Sequence, residues 1–215
     1  MEESTSREKI LKKVRAALIN QSKSDPADVD FDSAIFHEAE ETPELIFAQQ
    51  FSDLNGQFVF CENENDFRDN MLALVQENNF ESIFCTDSRL QRMLKDAGVN
   101  FSSDMDKINE VNVGVTGCEY LIARTGSVLV SSKQASGRRL VVYPNYHIVV
   151  AWTSQLVFNI RDALKGMKQR YGEQPPSSIT LISGPSRTAD IEKTLVQGAH
   201  GPKEIFVFLV DDTPI

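Results

Sequence analysis

Residues 57–98 read QFVFCENENDFRDNMLALVQENNFESIFCTDSRLQRMLKDAG, and this stretch decides the fold class. QFVFC is a short apolar run. Residues 66–77 follow it with Phe67, Met71, Leu74 and Val75 at helical spacing. ESIFC then repeats the run, and residues 87–96 repeat the helix with Leu90, Met93 and Leu94, closed by Gly98. Short apolar strands alternating with helical segments of about 10–15 residues are βα units, and βα units build a mostly parallel sheet. The reading is therefore α/β.

Toward the N-terminus, Thr42 and Pro43 supply a cap and a first-turn proline in their usual order. The helix they start carries Leu45, Ile46 and Phe47 and stops at Asn55-Gly56. Farther out, Thr5-Ser6-Arg7-Glu8 reads as a capping box before a stripe of Ile10, Leu11, Val14 and Leu18, a helix to about Asn20. QSKSDPADVD after it reads as a polar linker. Two regions result: an N-terminal helix with an acidic linker over 1–42, and an α/β domain over 43–215. Toward the C-terminus, SVLVSS, RRLVVYP and HIVVAW lie close together and predict a β-rich middle, locally antiparallel. A long helix is expected over 154–171, then a buried strand SITLIS, a helix over 188–197 and a last buried strand KEIFVFLV.

Composition narrows the function. With 22 Lys+Arg against 31 Asp+Glu the formal charge is -9. Residues 24–67 hold no Lys or Arg and repel nucleic-acid phosphates. Between Val111 and Arg161 the balance reverses: Glu119 stands alone against Arg124, Lys133, Arg138, Arg139 and Arg161, so its ionised form needs partners. No apolar run reaches the ~20 residues of a membrane helix, and the first residues lack a signal-peptide pattern, so a cytoplasmic protein is expected. Cys61, Cys85 and Cys118 are widely spaced and form no CxxC pair; they predict buried thiols and no metal or cluster held by this chain.

Three stretches carry chemistry. ISGPSRTADIE (182–192) delivers Gly184, Ser186, Arg187 and Thr188 between the strand SITLIS and the expected helix. A strand's carboxyl end followed by a helix N-terminus suits an oxyanion, and Arg187 can clamp one bidentately. Asp190 and Glu192 would sit about 200° apart on that helix. Asp190, nearer the helix start, is the acid expected to face a ligand and act as a base. The second stretch, residues 114–127, ends in Arg124-Thr125-Gly126-Ser127, a turn whose backbone can face a ligand; Glu119 within it is a second candidate acid or nucleophile. The third, Gly198-Ala-His200-Gly201-Pro202, sets a histidine between glycines in a strand-entry loop. His147 reads as structural. GxGxxG after a strand, GxxxxGK[ST], HExxH and GxSxG are all missing from the sequence.

ARTGSVLVSS, YPNYHIVVA, SGPSRTADIE and GAHGPKEIFVFLVDD together resemble the lactate-utilisation protein C family, the LUD-domain proteins, over residues 43–215. The resemblance implies a three-layer sandwich like the NagB/RpiA/CoA-transferase group. It also implies a small anionic ligand and a role beside iron–sulfur partner proteins that oxidise L-lactate to pyruvate, with the clusters in those partners. The chain departs from many relatives at Phe206, where they carry a polar residue or histidine. Two other readings stay open: a stand-alone enzyme on a phosphorylated or CoA-thioester substrate, and a non-catalytic ligand-binding subunit.

Overall fold

The computed structural model describes residues 6–19, 41–191, 194–198 and 200–213. The chain falls into two units, Met1–Ala39 and Glu40–Ile215. In the first, α1 (Ser6–Ile19) is a single helix; the linker and the Thr5 cap lie outside the described residues.

The second unit runs α2 (Pro43–Asp53), β1 (Gln57–Cys61), α3 (Glu64–Glu77), β2 (Ile83–Cys85), α4 (Ser88–Asp96), β3 (Val113–Gly117), β4 (Tyr120–Ile122), β5 (Ser127–Ser131), β6 (Tyr146–Trp152), β7 (Leu156–Val157), α5 (Ile160–Tyr171), β8 (Ile179–Ile182), β9 (Arg187–Ile191), β10 (Thr194–Gln197) and β11 (Glu204–Val210). The βα units form where expected. Side chains set their starts: Asn63 accepts from the amides of Asn65 and Asp66, and Asp87 from those of Arg89 and Leu90.

Five strands in the order β1-β11-β6-β3-β2 form a sheet whose adjacent pairs are all parallel. Strand alternation gives it two apolar faces. Ile148, Val150, Phe206 and Phe208 pack on Phe67 and Met71 of α3 and on Leu90 and Leu94 of α4. Phe206 is thus a core residue. On the other face, Val149, Ala151, Val207 and Leu209 pack on Phe47 and Phe51 of α2 and on Leu121, Val128 and Val130. Phe47 and Phe51 are both 0% exposed and stack at 5.3 Å; burying each contributes about 1.5–3 kcal/mol. The Leu121, Val128 and Val130 side chains come from a second sheet ordered β7-β4-β5-β8. Its outer face carries Ile122 and Leu129 under Ala163 and Met167 of α5. The layers are therefore helices α3 and α4, the parallel sheet, then α2 with the small sheet, backed by α5.

Four readings change, and one strand is added. β3 is an interior strand that the sequence reading did not include: a Cβ on Gly114 would come within 2.9 Å of Pro144 and 3.0 Å of Leu140, so the strand is glycine-rich because a loop lies on it. That loop contains RRLVVYP, which forms successive turns rather than a strand. The helix expected over 154–171 begins only at Ile160, because Leu156 and Val157 pair with Leu121 and Ile122 of β4. SITLIS is no buried strand: β8 is an edge strand, and Ile179 and Leu181 are 42% and 41% exposed. The described residues of 188–197 are strand rather than helix. β9 and β10 pair antiparallel, Thr194 opposite Ile191 and Gln197 opposite Arg187. The β-branched Thr188, Ile191, Thr194 and Val196 favour a strand, and that preference outweighs the cap-like Ser and Thr residues before it.

Candidate functional site

The hairpin removes the helix N-terminus on which an oxyanion was expected to sit. What stands at residues 183–187 is a different convergence, built around the end of α2. The antiparallel register of β5 and β8 sets Val128 opposite Ile182, so the turns at 125–127 and 183–187 lie side by side. Ser127 Oγ and Ser183 Oγ are 2.8 Å apart, and Ser127 Oγ also donates to the Thr125 carbonyl at 3.1 Å.

Both turns use glycine to reach α2. Gly126 has φ 55°, and a Cβ there would lie 2.5 Å from the Gln50 carbonyl carbon and from the Phe51 nitrogen. Gly184 has φ 86°, and its Cβ would lie 2.6 Å from the Leu54 carbonyl oxygen. Leu54 is the residue that ends α2. Arg187 donates to the same Leu54 oxygen at 3.0 Å. A guanidinium at a helix C-terminus is favourable, since carbonyls there lack intrahelical partners and carry partial negative charge. Arg187 is exposed, and among the described residues its side chain makes the one bond to Leu54, which engages one of its five N–H donors.

The third stretch closes on the same turn. Ser186 N donates to the Pro202 carbonyl at 2.8 Å, Gly198 N to the Ser186 carbonyl at 3.0 Å, and His200 N to Ser186 Oγ at 3.4 Å. A Cβ on Gly201 would lie 3.3 Å from Ser186 Cβ. His200 is exposed. The Thr125 hydroxyl is buried without a hydrogen-bond partner among the described residues. Thr188 and Asp190 belong to β9 by their backbone; on a strand the helical argument that separated Asp190 from Glu192 does not apply, and Glu192 lies outside the described residues. The structure thus brings together Thr125, Gly126, Ser127, Gly184, Ser186, Arg187, Gly201 and His200. Arg124 adjoins them, and its Nε donates to Asn159 Oδ1 at 2.8 Å, at the start of α5.

Glu119 is not in this group. It is 2% exposed, on the outer face of the small sheet below α5. Its Oε2 accepts from Arg170 at 2.6 Å, and its Oε1 accepts from Tyr171 at 2.7 Å and from Ser131 at 2.6 Å. The lone acid of the basic stretch has its partners: its cation comes from the last turn of α5 rather than from that stretch, which supplies only the Ser131 hydroxyl. Burial and the bond to Glu119 push the Tyr171 phenol up from its usual range. A carboxylate holding three donors has both oxygens engaged, a geometry that fastens α5 to the sheet.

His147 is also internal. Buried in β6, its Nε2 lies 2.8 Å from Thr116 Oγ1, and its Nδ1 has no hydrogen-bond partner among the described residues. Burial lowers its pKa from 6.5 to about 4, so the ring is neutral. Cys61, Cys85 and Cys118 are buried free thiols. Burial pushes Cys61 and Cys85 up to about 12, and Cys118 also upward, which makes all three poor thiolate ligands. Among the described residues no group of three or more His, Cys, Asp or Glu could hold a metal ion, and no helix is long and apolar enough to cross a membrane.

Sequence reasoning missed Leu54, Ser183 and Arg170. The first acts through a backbone oxygen and left no signal. Arg170 did leave one: an isolated acid requires a cation, and a helix ending in Arg-Tyr was available.

A mostly parallel sheet with helices and a small second sheet defines an α/β protein, and a solved structure shares that fold. It is a DUF162 family protein from Deinococcus radiodurans, matched with a TM-score of 0.58 over 79% of this chain and 99% of that one, at 18% identity. The LUD domain model matches residues 46–210, and the chain belongs to the LUD domain family. Among curated relatives, lactate utilization protein C of Halalkalibacterium halodurans is 36% identical over 110 residues, 50% of this chain and 48% of that one. Lactate utilization protein C of Bacillus subtilis is 35% identical over 111 residues, 51% and 46% of the two chains. The uncharacterized protein YkgG of Escherichia coli is 32% identical over 113 residues, 52% and 49%. The chain spans about half the length of the curated relatives it matches.

Proposed function

We propose that this chain is a cytoplasmic component of an L-lactate utilisation system, working beside iron–sulfur partner proteins that carry the clusters and oxidise L-lactate to pyruvate. Membership of the LUD family and the names of the curated relatives support this reading. We further propose that the chain binds a small anionic ligand at the junction of residues 124–127, 183–188 and 198–202. The observation that carries this second step is the exposed Arg187 guanidinium, whose side chain is held by a bond to the Leu54 carbonyl where the two glycine turns meet the end of α2. Arg187, Thr125 and Ser186 supply donors, with Arg124 and Thr188 at the margin. Gly126, Gly184 and Gly201 let the turns close together, and Asp190 and His200 are the groups proposed to transfer protons. Glu119 serves as a structural anchor in this reading.

Thermal melting of the full chain with L-lactate and, separately, pyruvate tests the ligand. At 100 times its dissociation constant a ligand adds about 2.7 kcal/mol of stability. A rise in melting temperature with either compound, absent in Arg187→Gln, is expected. No rise with either, or an equal rise in the variant, contradicts the site.

A further inference from the structure

The turn between β5 and β6 carries Lys133, Arg138 and Arg139 within seven residues, all exposed. Ion pairs among the described residues join Arg68 to Asp69, Arg89 to Glu64 and Arg170 to Glu119; none reaches this turn. In a chain of formal charge -9, three cations without an ion-pair partner on one short turn concentrate positive charge that the chain's many acids leave unneutralised. Glu119, which bonds Ser131 at the opening of the turn, is already paired with Arg170.

The turn is also built rather than loose. Ser131 N donates to Gln134 Oε1 at 2.9 Å, Lys133 N to Ser131 Oγ at 3.1 Å, and Gly137, at φ 59°, closes a bend by donating to the Gln134 carbonyl at 2.9 Å. Arg138 donates to Ser177 Oγ, which lies 3.0 Å from Ser132 Oγ, so one guanidinium is held in place before any ligand arrives. Ser136 is 8% exposed, and its hydroxyl has no hydrogen-bond partner among the described residues. The free turn leaves that donor unsatisfied.

We propose that this turn is a second anion site and that its ligand is a phosphoryl group on a small molecule or free in solution. A phosphomonoester carries about -1.5 to -2 charge near pH 7 with three acceptor oxygens. That matches two guanidiniums, an ammonium and the serine hydroxyls better than a monocarboxylate, which one arginine satisfies. A polynucleotide is disfavoured, because the rest of the chain is acidic. The site is separate from the Arg187 junction and stands or falls without it.

Calorimetric titration of the full chain at constant ionic strength, with inorganic phosphate and separately with glycerol 3-phosphate, tests the proposal. Saturable binding is expected, weakened about tenfold by Arg139→Gln, whose side chain makes no hydrogen bond or ion pair among the described residues, and weakened further when Lys133→Gln and Arg138→Gln are added. Arg161→Gln removes the same charge from α5 and is expected to leave binding unchanged. Tighter binding of the ester assigns the phosphate to an organic body; equal affinity assigns it to free phosphate; both support the site. No saturable binding of either probe overturns it, as does full affinity in Arg139→Gln or an equal loss in Arg161→Gln. Should the triple variant fail to fold, Arg139→Gln decides alone.

Discussion

A histidine whose Nδ1 has no hydrogen-bond partner among the described residues sits at the centre of the parallel sheet, and its surroundings set a pH dependence. The unfolded chain binds a proton on His147 near pH 6.5, whereas the folded chain does so only near 4. Between those values the unfolded state holds more protons, so stability rises with pH. The contribution is fully present above about pH 6.5 and is lost as pH falls toward 4, amounting at most to about 3 kcal/mol. Denaturant melts at pH 7 and pH 4.5 should show that loss, and His147→Gln should shrink the difference; an unchanged difference contradicts the account. Glu119 gives a second test. Arg170→Ala leaves a 2% exposed carboxylate without its cation. The cost is expected to be about 1–3 kcal/mol, and Glu119→Gln in the same background should recover part of it. An exposed decorative pair would move stability by less than about 1 kcal/mol and show no recovery.

At the level of elements, the two turns on α2 make a prediction that a third glycine controls. Gly98, at φ 71°, has nothing within 4 Å of its Cβ position, whereas Gly126 and Gly184 face α2 backbone at 2.5 and 2.6 Å. Gly98→Ala should cost only the left-handed strain, about 1 kcal/mol. Gly126→Ala and Gly184→Ala must also displace the end of α2 and should lose clearly more in chemical denaturation; equal losses at all three would show the approach to be loose. Arg187→Ala, which removes only the exposed cation at the helix end, should cost about 0.3–1 kcal/mol. The elements also separate what the sequence displays from what it hides. QFVFC and ESIFC with their helices were legible because capping residues and apolar spacing agree. β3 was hidden because Gly114 answers a contact from Leu140 and Pro144, remote in sequence. The β9–β10 hairpin was hidden because caps and β-branched residues disagree over 188–197, and local signals alone do not settle which prevails. The grouping of the three glycine-containing stretches was foreseeable as motifs, but the surface they share, the carbonyl end of α2, was not.

For the whole molecule, the account joins an α/β LUD domain to a proposed place in lactate utilisation, with the turns around Arg187 as the ligand-binding part. Melting curves and titrations address pieces of that account; growth addresses all of it. The direct measurement is the growth rate on L-lactate as sole carbon source of a source strain lacking this chain, complemented with the wild type, with Arg187→Gln or with an empty vector, beside growth on glucose. The account predicts that the empty vector and Arg187→Gln fail on L-lactate alone, while the wild type restores growth and all three grow equally on glucose. Normal growth on L-lactate without the chain would contradict it.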